Sequence, residues 1–415
     1  MRVTILSGLF PAEIEQEIVK NSKGPIQNAA NNLQYSIIEG LSHWCSEIKV
    51  LNFPFVGEYP LSFKKPWVSE SHFTEEKESE QEKCLIECFS AKTPTLLIYK
   101  HLSIENLAYN SLKNILNENN GNNTVIIYSI YPPFLKACKR LKREGHKFNV
   151  LVIAPDLPQF MGESRWKLRR EYMKHTEKNR EKSLAELLSA TVDGYAIITE
   201  AMRHKLPIKN LPWTILEGIA RQHNRPARKQ KKDSAFRILY SGTLDPKYGI
   251  LLLLDAFAKT NNPDYRLLIC GEGAVKNQIL ECKDKRVVYL GQLPHDDILR
   301  LQTEADLLVN PRTSQGEYTK YSFPSKTLEY LSSGTPALMF NLPGIPDEYK
   351  PFYYSPIEEN AEELATEINR IFSLPIAERE NMARNAKSFI ETHKNPEAQT
   401  KRIFELIKKM NQSNK

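Results

Sequence analysis

Phe323-Pro324-Ser325-Lys326-Thr327-Leu328-Glu329-Tyr330-Leu331-Ser332-Ser333-Gly334-Thr335-Pro336 reads as a loop that turns into a helix at Ser325 and stops at Gly334, with Pro336 just behind it. A helix opened by Pro-Ser-Lys-Thr offers free backbone NH groups, a positive dipole end, hydroxyls from Ser325 and Thr327 and the Lys326 ammonium. Those are the parts of a phosphate site. Glu329 follows Ser325 by one helical turn on the same face, where a carboxylate can accept hydrogen bonds from the hydroxyls of a sugar or ribose. The same residues also suit an ordinary capped amphipathic helix, so the rest of the chain has to decide.

Working outward, the segment after the linker at 218–234 alternates short apolar strands with helices: strands near 236–240, 266–270, 286–290, 306–309 and 336–340, helices between. Continuous apolar strands separated by helices mean a parallel sheet covered on both faces. Several strands end at glycines, Gly242, Gly271, Gly273 and Gly291, while Gly24 ahead of a helix start allows close backbone approach by a ligand. The first part repeats the pattern with strands near 3–6, 48–53, 95–99, 124–128, 149–153, 194–199 and 213–216. The polar stretch 64–83 reads as a surface excursion. Lys23-Gly24-Pro25 forms a loop before a helix, and Asp156 stands directly after a buried strand, where ligands of open parallel sheets bind; a turn or capping aspartate reads the same way.

The predicted architecture is two Rossmann-like α/β domains. Residues 1–217 form the first, 218–234 a basic linker, 235–390 the second, and 391–415 a helix expected to pack on the first domain. The chain has 415 residues, 41% hydrophobic and 26% charged, too many for one core and ordinary for two. Six scattered cysteines lack zinc-like spacing, so reduced thiols and no structural metal are expected. No apolar run reaches a membrane span, and the polar start does not resemble a signal peptide, so a cytoplasmic protein is expected. The net charge of +7 concentrates in 165–182 and 221–232. Trp166, Leu168, Tyr172 and Met173 among the cations of the first stretch suit peripheral contact with an anionic membrane surface, or simply a solvated helix with a core face. Neither stretch belongs to a nucleic-acid module.

Five pieces of the second domain, in order, resemble the retaining glycosyltransferases of family 4, also called group 1: Tyr240-Ser-Gly-Thr-Leu244 with Lys247-Tyr-Gly249, Cys270-Gly-Glu-Gly273, Tyr289-Leu-Gly291, Ala305-Asp-Leu-Leu-Val-Asn-Pro311, and the opening stretch. The Tyr321-Ser-Phe-Pro-Ser-Lys-Thr-Leu-Glu329 form is similar to that of bacterial exopolysaccharide and capsule enzymes. The resemblance implies a GT-B fold of two facing Rossmann-like domains, a nucleoside-diphosphate sugar as co-substrate with no resident cofactor, and a glycan or lipid-linked saccharide acceptor held by the first domain. It places the donor on Gly242, Thr243, Lys247, Gly271, Gly273, Leu290, Arg312, Tyr321, Ser325, Lys326, Thr327 and Glu329. Lys23 and Gly24 become an acceptor or phosphate loop, and Asp156, Lys326 and Glu329 the catalytic candidates.

The chain departs from the family pattern twice. The first glutamate of the Glu-x7-Glu motif is replaced by Tyr321, leaving Tyr321, nearby Glu317 or backbone contacts alone to meet the transferred sugar. Relatives' arginine and lysine after the first glycine are here Thr243 and Tyr248, so Lys247, Arg312 and Lys326 are left to meet the diphosphate. These departures keep open a non-catalytic sugar-nucleotide-binding subunit; a GT-B sugar-nucleotide epimerase is a further alternative.

Overall fold

The computed structural model describes residues 1–24, 26–78, 83–97, 99–118, 123–160, 170–221 and 235–413, with only the backbone of 160, 170–178 and 413. Two compact units emerge, one of residues 1–219 and 396–415, the other of 220–395.

The first unit is built on an eight-stranded sheet. Its strands are β1 (Arg2–Ser7), β2 (Glu47–Asn52), β4 (Ser71–Lys77), β5 (Cys84–Ser90), β7 (Asn123–Tyr128), β8 (Phe148–Ala154), β9 (Gly194–Ile197) and β10 (Trp213–Ile215), while β3 (Trp67–Val68) and β6 (Thr93–Pro94) pair separately. The order is β10-β9-β8-β7-β1-β2-β5-β4, parallel except for β4 on β5. All seven residues of β8 are buried, as a central strand covered on both faces demands.

Two expectations fail at one edge of this sheet. The stretch 64–83 is more than an excursion: it contains β4, an antiparallel edge strand whose exposed, charged residues concealed its period. The sheet's next strand is β5 and not 95–99; that segment bridges back to Tyr59 and leads into the helix Lys100–Glu118.

The helix Pro396–Ser413 completes this unit. Ile403, Leu406, Ile407 and Met410 join the core of β1, β2 and β5, and Trp44 stacks on Phe404 at 5.6 Å between centroids. Gly40 lies so close to the Pro396 carbonyl and the Thr400 hydroxyl that any side chain there would push the helix away. Glu217, buried, is compensated by Arg402 at 3.3 Å and by Gln399 at 3.2 Å.

The second unit is a five-stranded parallel sheet, β11 (Phe236–Ser241), β12 (Tyr265–Cys270), β13 (Val287–Gly291), β14 (Leu307–Asn310) and β15 (Ala337–Met339), ordered β13-β12-β11-β14-β15. Ile238, Leu239, Leu267, Leu307 and Leu308 form its fully buried centre. Each sheet, taken alone, is the doubly wound arrangement expected. No described helix is long and apolar enough to cross a membrane. Residues 222–234 of the linker, Pro25 and residues 161–169 lie outside the described residues, so the basic stretches and the full Lys23-Gly24-Pro25 loop are not described as wholes.

Candidate active site

Strand order locates the crevice of the second unit. The chain lays down β11, β12 and β13 outward in one direction, then crosses to put β14 on the other side of β11. Loops leaving the carboxyl ends of β11 and β14 therefore diverge and leave a cleft, the usual ligand position in open parallel sheets. The first loop is the turn beginning at Ser241-Gly242, the second is Pro311-Arg312, and the helix Ser325–Leu331 follows the second.

Gly242 is tied to the sheet by its NH on the Cys270 carbonyl at 2.9 Å. The Lys326 chain lies across it: a Cβ on Gly242 would meet the lysine's Cε and Nζ, so glycine is required for the ammonium to sit over this backbone. Burial holds the Lys326 pKa below the ordinary lysine range, with Glu329 opposing that shift. A desolvated ammonium over a bare backbone turn is poised for an anion. Gly271 sits behind, against the Gly242 carbonyl, and Gly273 against that of Leu244, so both shape the turn from beneath.

Glu329 does not stand alone one turn below Ser325. Gln302, fully buried on the helix His295–Glu304, donates from Nε2 to Glu329 Oε1 in a short hydrogen bond. The same Nε2 lies 3.4 Å from Ser241 Oγ, and Tyr330, also fully buried, accepts from the Ser241 NH at 3.1 Å. Thr335 Oγ1 donates to the Gln302 carbonyl at 2.6 Å. This network orients the carboxylate from three elements before any ligand arrives. Sequence reading missed Gln302, Ser241 and Tyr330. The available signal was a glutamine three residues after buried Leu299, on the apolar stripe of its helix.

Arg312 is 9% exposed, with its guanidinium 5.8 Å from the Tyr248 ring centroid and 5.3 Å from that of Tyr318. Its Nη2 donates to Ser322 Oγ at 3.0 Å, while Nε has no hydrogen-bond partner. Gly249, at φ +76°, allows the turn holding Tyr248 to touch the Pro311 carbonyl; a Cβ would collide there. Lys247 is exposed and lies over the Tyr248 ring at 5.1 Å. Thr243 is exposed, its carbonyl accepting from Tyr240 OH at 2.8 Å.

The two candidates for the missing first glutamate meet each other: Tyr321 OH donates to Glu317 Oε1 at 3.2 Å. Ser325 is exposed at the helix start. Thr327 is a correction. It is fully buried with an unpartnered Oγ1, because two residues along a helix is about 200° of turn, which puts it opposite Ser325 and inside the core. Leu290, half-buried in β13, sits two strands from β11.

The first unit has its own switch point, between β1 and β7. After β1 the backbone NH groups of Gly8, Leu9 and Phe10 are held by Gln34, Asn52 and Asn31 side chains at 2.8, 2.6 and 2.8 Å. After β7, Ser129 adopts φ +66°, strained for a residue with a Cβ, beside buried Tyr128, whose OH lacks a partner. Phe55, Tyr131 and Phe134 pack together at centroid distances of 4.9 to 6.2 Å, with His101 at 5.8 Å from Tyr131. Asp156 follows β8, on the rim, exposed as a residue yet with its carboxyl desolvated enough to raise the pKa to about 6. His101 is held below the usual histidine range by desolvation and by Lys100. Lys23 donates to the Pro60 carbonyl at 2.6 Å, and Gly24 has open space around it.

Residues 222–389 match the family described as glycosyl transferases group 1. No curated protein matches the sequence. Among solved structures, a sucrose-phosphate synthase from Thermosynechococcus elongatus aligns over 99% of this chain and 100% of its own, at 15% identity and TM-score 0.63. An alpha,alpha-trehalose 6-phosphate synthase from Burkholderia multivorans aligns over 100% of both at 9% identity and TM-score 0.59. An E. coli structure titled as trehalose-6-phosphate bound with UDP-2-fluoro glucose aligns over 98% of this chain and 99% of its own, at 11% identity and TM-score 0.59. The fold is GT-B, and the match to the group 1 glycosyl transferase family spans most of the second unit.

Proposed function

We propose that the protein is a retaining glycosyltransferase that moves a sugar from a nucleoside-diphosphate sugar to a glycan or lipid-linked saccharide, in the synthesis of a bacterial surface polysaccharide. The observation that carries the reading is the juxtaposition, in a group 1 domain, of Lys326 over Gly242 with Glu329 held by Gln302. The ammonium meets the diphosphate and the carboxylate the ribose hydroxyls.

In the proposed step the bond from the sugar's anomeric carbon to the diphosphate oxygen breaks, and its electron pair leaves with that oxygen. The acceptor oxygen bonds to the same face of the carbon, and its proton passes to a phosphate oxygen. The protein supplies position and charge stabilisation instead of a covalent partner. Asp156, with its raised pKa, is the first-unit carboxyl assigned to the acceptor hydroxyl. The resemblance to capsule and exopolysaccharide enzymes supports the acceptor class, and work at a cytoplasmic membrane surface would suit a lipid-linked one.

A thermal-shift screen against UDP, GDP and ADP sugars tests the reading, since a ligand that binds the native state raises the melting point. One nucleotide sugar is expected to stabilise the wild type and to be turned over, with Glu329→Ala folded and about 10-fold or more less active. Equal activity in Glu329→Ala would sink the assignment. Binding with neither transfer nor hydrolysis would instead mark a sugar-nucleotide-binding subunit.

A further inference from the structure

Apolar side chains exposed singly need no explanation, but a cluster of them does. In the first unit Leu61, Trp67, Leu96, Leu97, Tyr99 and Leu102 are between 39 and 69% exposed. Backbone contacts bring their segments together: antiparallel pairing sets Trp67 opposite Pro94, a bridge joins Tyr59 to Leu96, and the Thr95 NH donates to the Pro66 carbonyl at 2.9 Å. Strand alternation turns Val68 inward, where with Phe63 it joins Phe10, Ile14, Ile18 and Val56, and so turns Trp67 out. The patch thus sits on a small core of its own. Lysines fringe it. Segments 20–24, 58–68 and 92–102 hold Lys20, Lys23, Lys64, Lys65, Lys92 and Lys100 against one acid, Glu58, with Glu70 just beyond. Lys100 is buried on the Val56 carbonyl, and the other five lysines are exposed. The Lys23 NH donates to the Ser62 carbonyl and the Lys64 NH to that of Asn21, at 3.0 and 2.8 Å, while Lys92 lies over the Trp67 ring at 4.8 Å. Glu17 and Glu58 face Lys65 at 2.9 Å and His101 at 3.9 Å.

We propose that this face docks on an anionic lipid bilayer. Its apolar side chains enter the headgroup region, where tryptophan and tyrosine rings are favoured, and its lysines snorkel to lipid phosphates. A second copy of the chain fits worse, because a two-fold contact opposes a patch to itself and sets these lysines against one another. The position also suits the chemistry proposed above. The chain from 53 to 68 leaves the carboxyl end of β2 and that from 91 to 99 leaves β5, at the same end of the sheet as the switch point. His101, beside Leu102, lies 5.8 Å from the Tyr131 ring of the aromatic cluster. In transfer to a lipid-linked saccharide, the reading on which this use of the face rests, the bilayer keeps the lipid while the saccharide reaches that rim.

The test uses the whole chain and vesicles of phosphatidylcholine with or without phosphatidylglycerol. Wild type is expected to cosediment with the anionic vesicles, less so as salt rises, and to shift its tryptophan emission to shorter wavelength on them. Trp67→Phe should keep the binding and lose the shift, which separates this face from the basic stretch 165–182 with its own Trp166. Leu97→Ser with Tyr99→Ser, and separately Lys64→Glu with Lys92→Glu, should each weaken vesicle binding about 10-fold or more at an unchanged melting point, since these side chains are exposed. Wild type that ignores anionic vesicles, an emission shift that survives Trp67→Phe, or equal binding by both paired variants would overturn the proposal. So would a wild-type dimer on gel filtration that either paired variant loses, which would assign the face to a second copy. Sugar transfer to a water-soluble saccharide is expected to be unchanged in both. Vesicle binding at this face without any transfer would support the docking surface and fail the glycosyltransferase reading instead.

Discussion

The switch points of the two sheets carry opposite chemistry. At the carboxyl ends of β11 and β14, a desolvated lysine, a buried arginine with no ion pair among the described residues and a carboxylate fixed by a glutamine surround a glycine turn. At those of β1 and β7, aromatic rings of Phe55, Tyr131 and Phe134 surround loops tied down by neutral carboxamides, with Asp156, His101, Glu58 and Lys100 as nearby titratable groups. The first set complements a diphosphate, which must be met by charge. The second complements a polyhydroxy ring, whose apolar face stacks on aromatics and whose hydroxyls need few, well-placed acceptors. One architecture used twice thus carries a charged set of side chains at one switch point and a largely aromatic and carboxamide set at the other.

The strongest way to break this comparison is to remove its sharpest charge. Lys326→Ala is expected to lower kcat/KM by about 100-fold or more while Thr243→Ala changes it by less than about 3-fold, because only the ammonium makes a charge-assisted bond. Steady-state kinetics on folded variants decide, and equal effects would mean that the turn acts through its backbone. Since burial lowers the Lys326 pKa, donor affinity should also weaken at a lower alkaline pH than an ordinary lysine would give.

A smaller effect should mark the orientation network. Gln302→Leu removes the donor to Glu329 without touching the ligand, and donor KM should rise about 10-fold with kcat nearly constant. A fall in kcat alone would place Gln302 outside donor positioning.

The mildest expectation concerns the first unit. The Asp156 carboxyl loses its proton near pH 6, so a wild-type rate that depends on its ionised form should fall as pH drops through about 6. Asp156→Asn should flatten that acid limb while leaving nucleotide binding unchanged. An unchanged limb would assign it to another group.

Much of this protein was legible from local sequence. Apolar runs such as 149–153 and 306–309 can only be buried strands, and Pro324-Ser325 followed by Gly334-Thr335-Pro336 bounds a helix through backbone rules that act over a few residues. Lys326 and Glu329 could be singled out for the same reason. Edge strand β4 could not, because its exposed charges remove the alternation that marks a strand, and its partner is set by pairing with β5. Thr327 was misplaced because a motif names residue types, whereas the packing of a short helix decides which of them face inward. Gln302 beside Glu329 and Arg312 near the rings of Tyr248 and Tyr318 join residues 27, 64 and 6 positions apart. Composition and period determined the two doubly wound sheets; which charges are buried, paired or left for a ligand was decided only when the chain closed those distances, since desolvation exists only in the packed state.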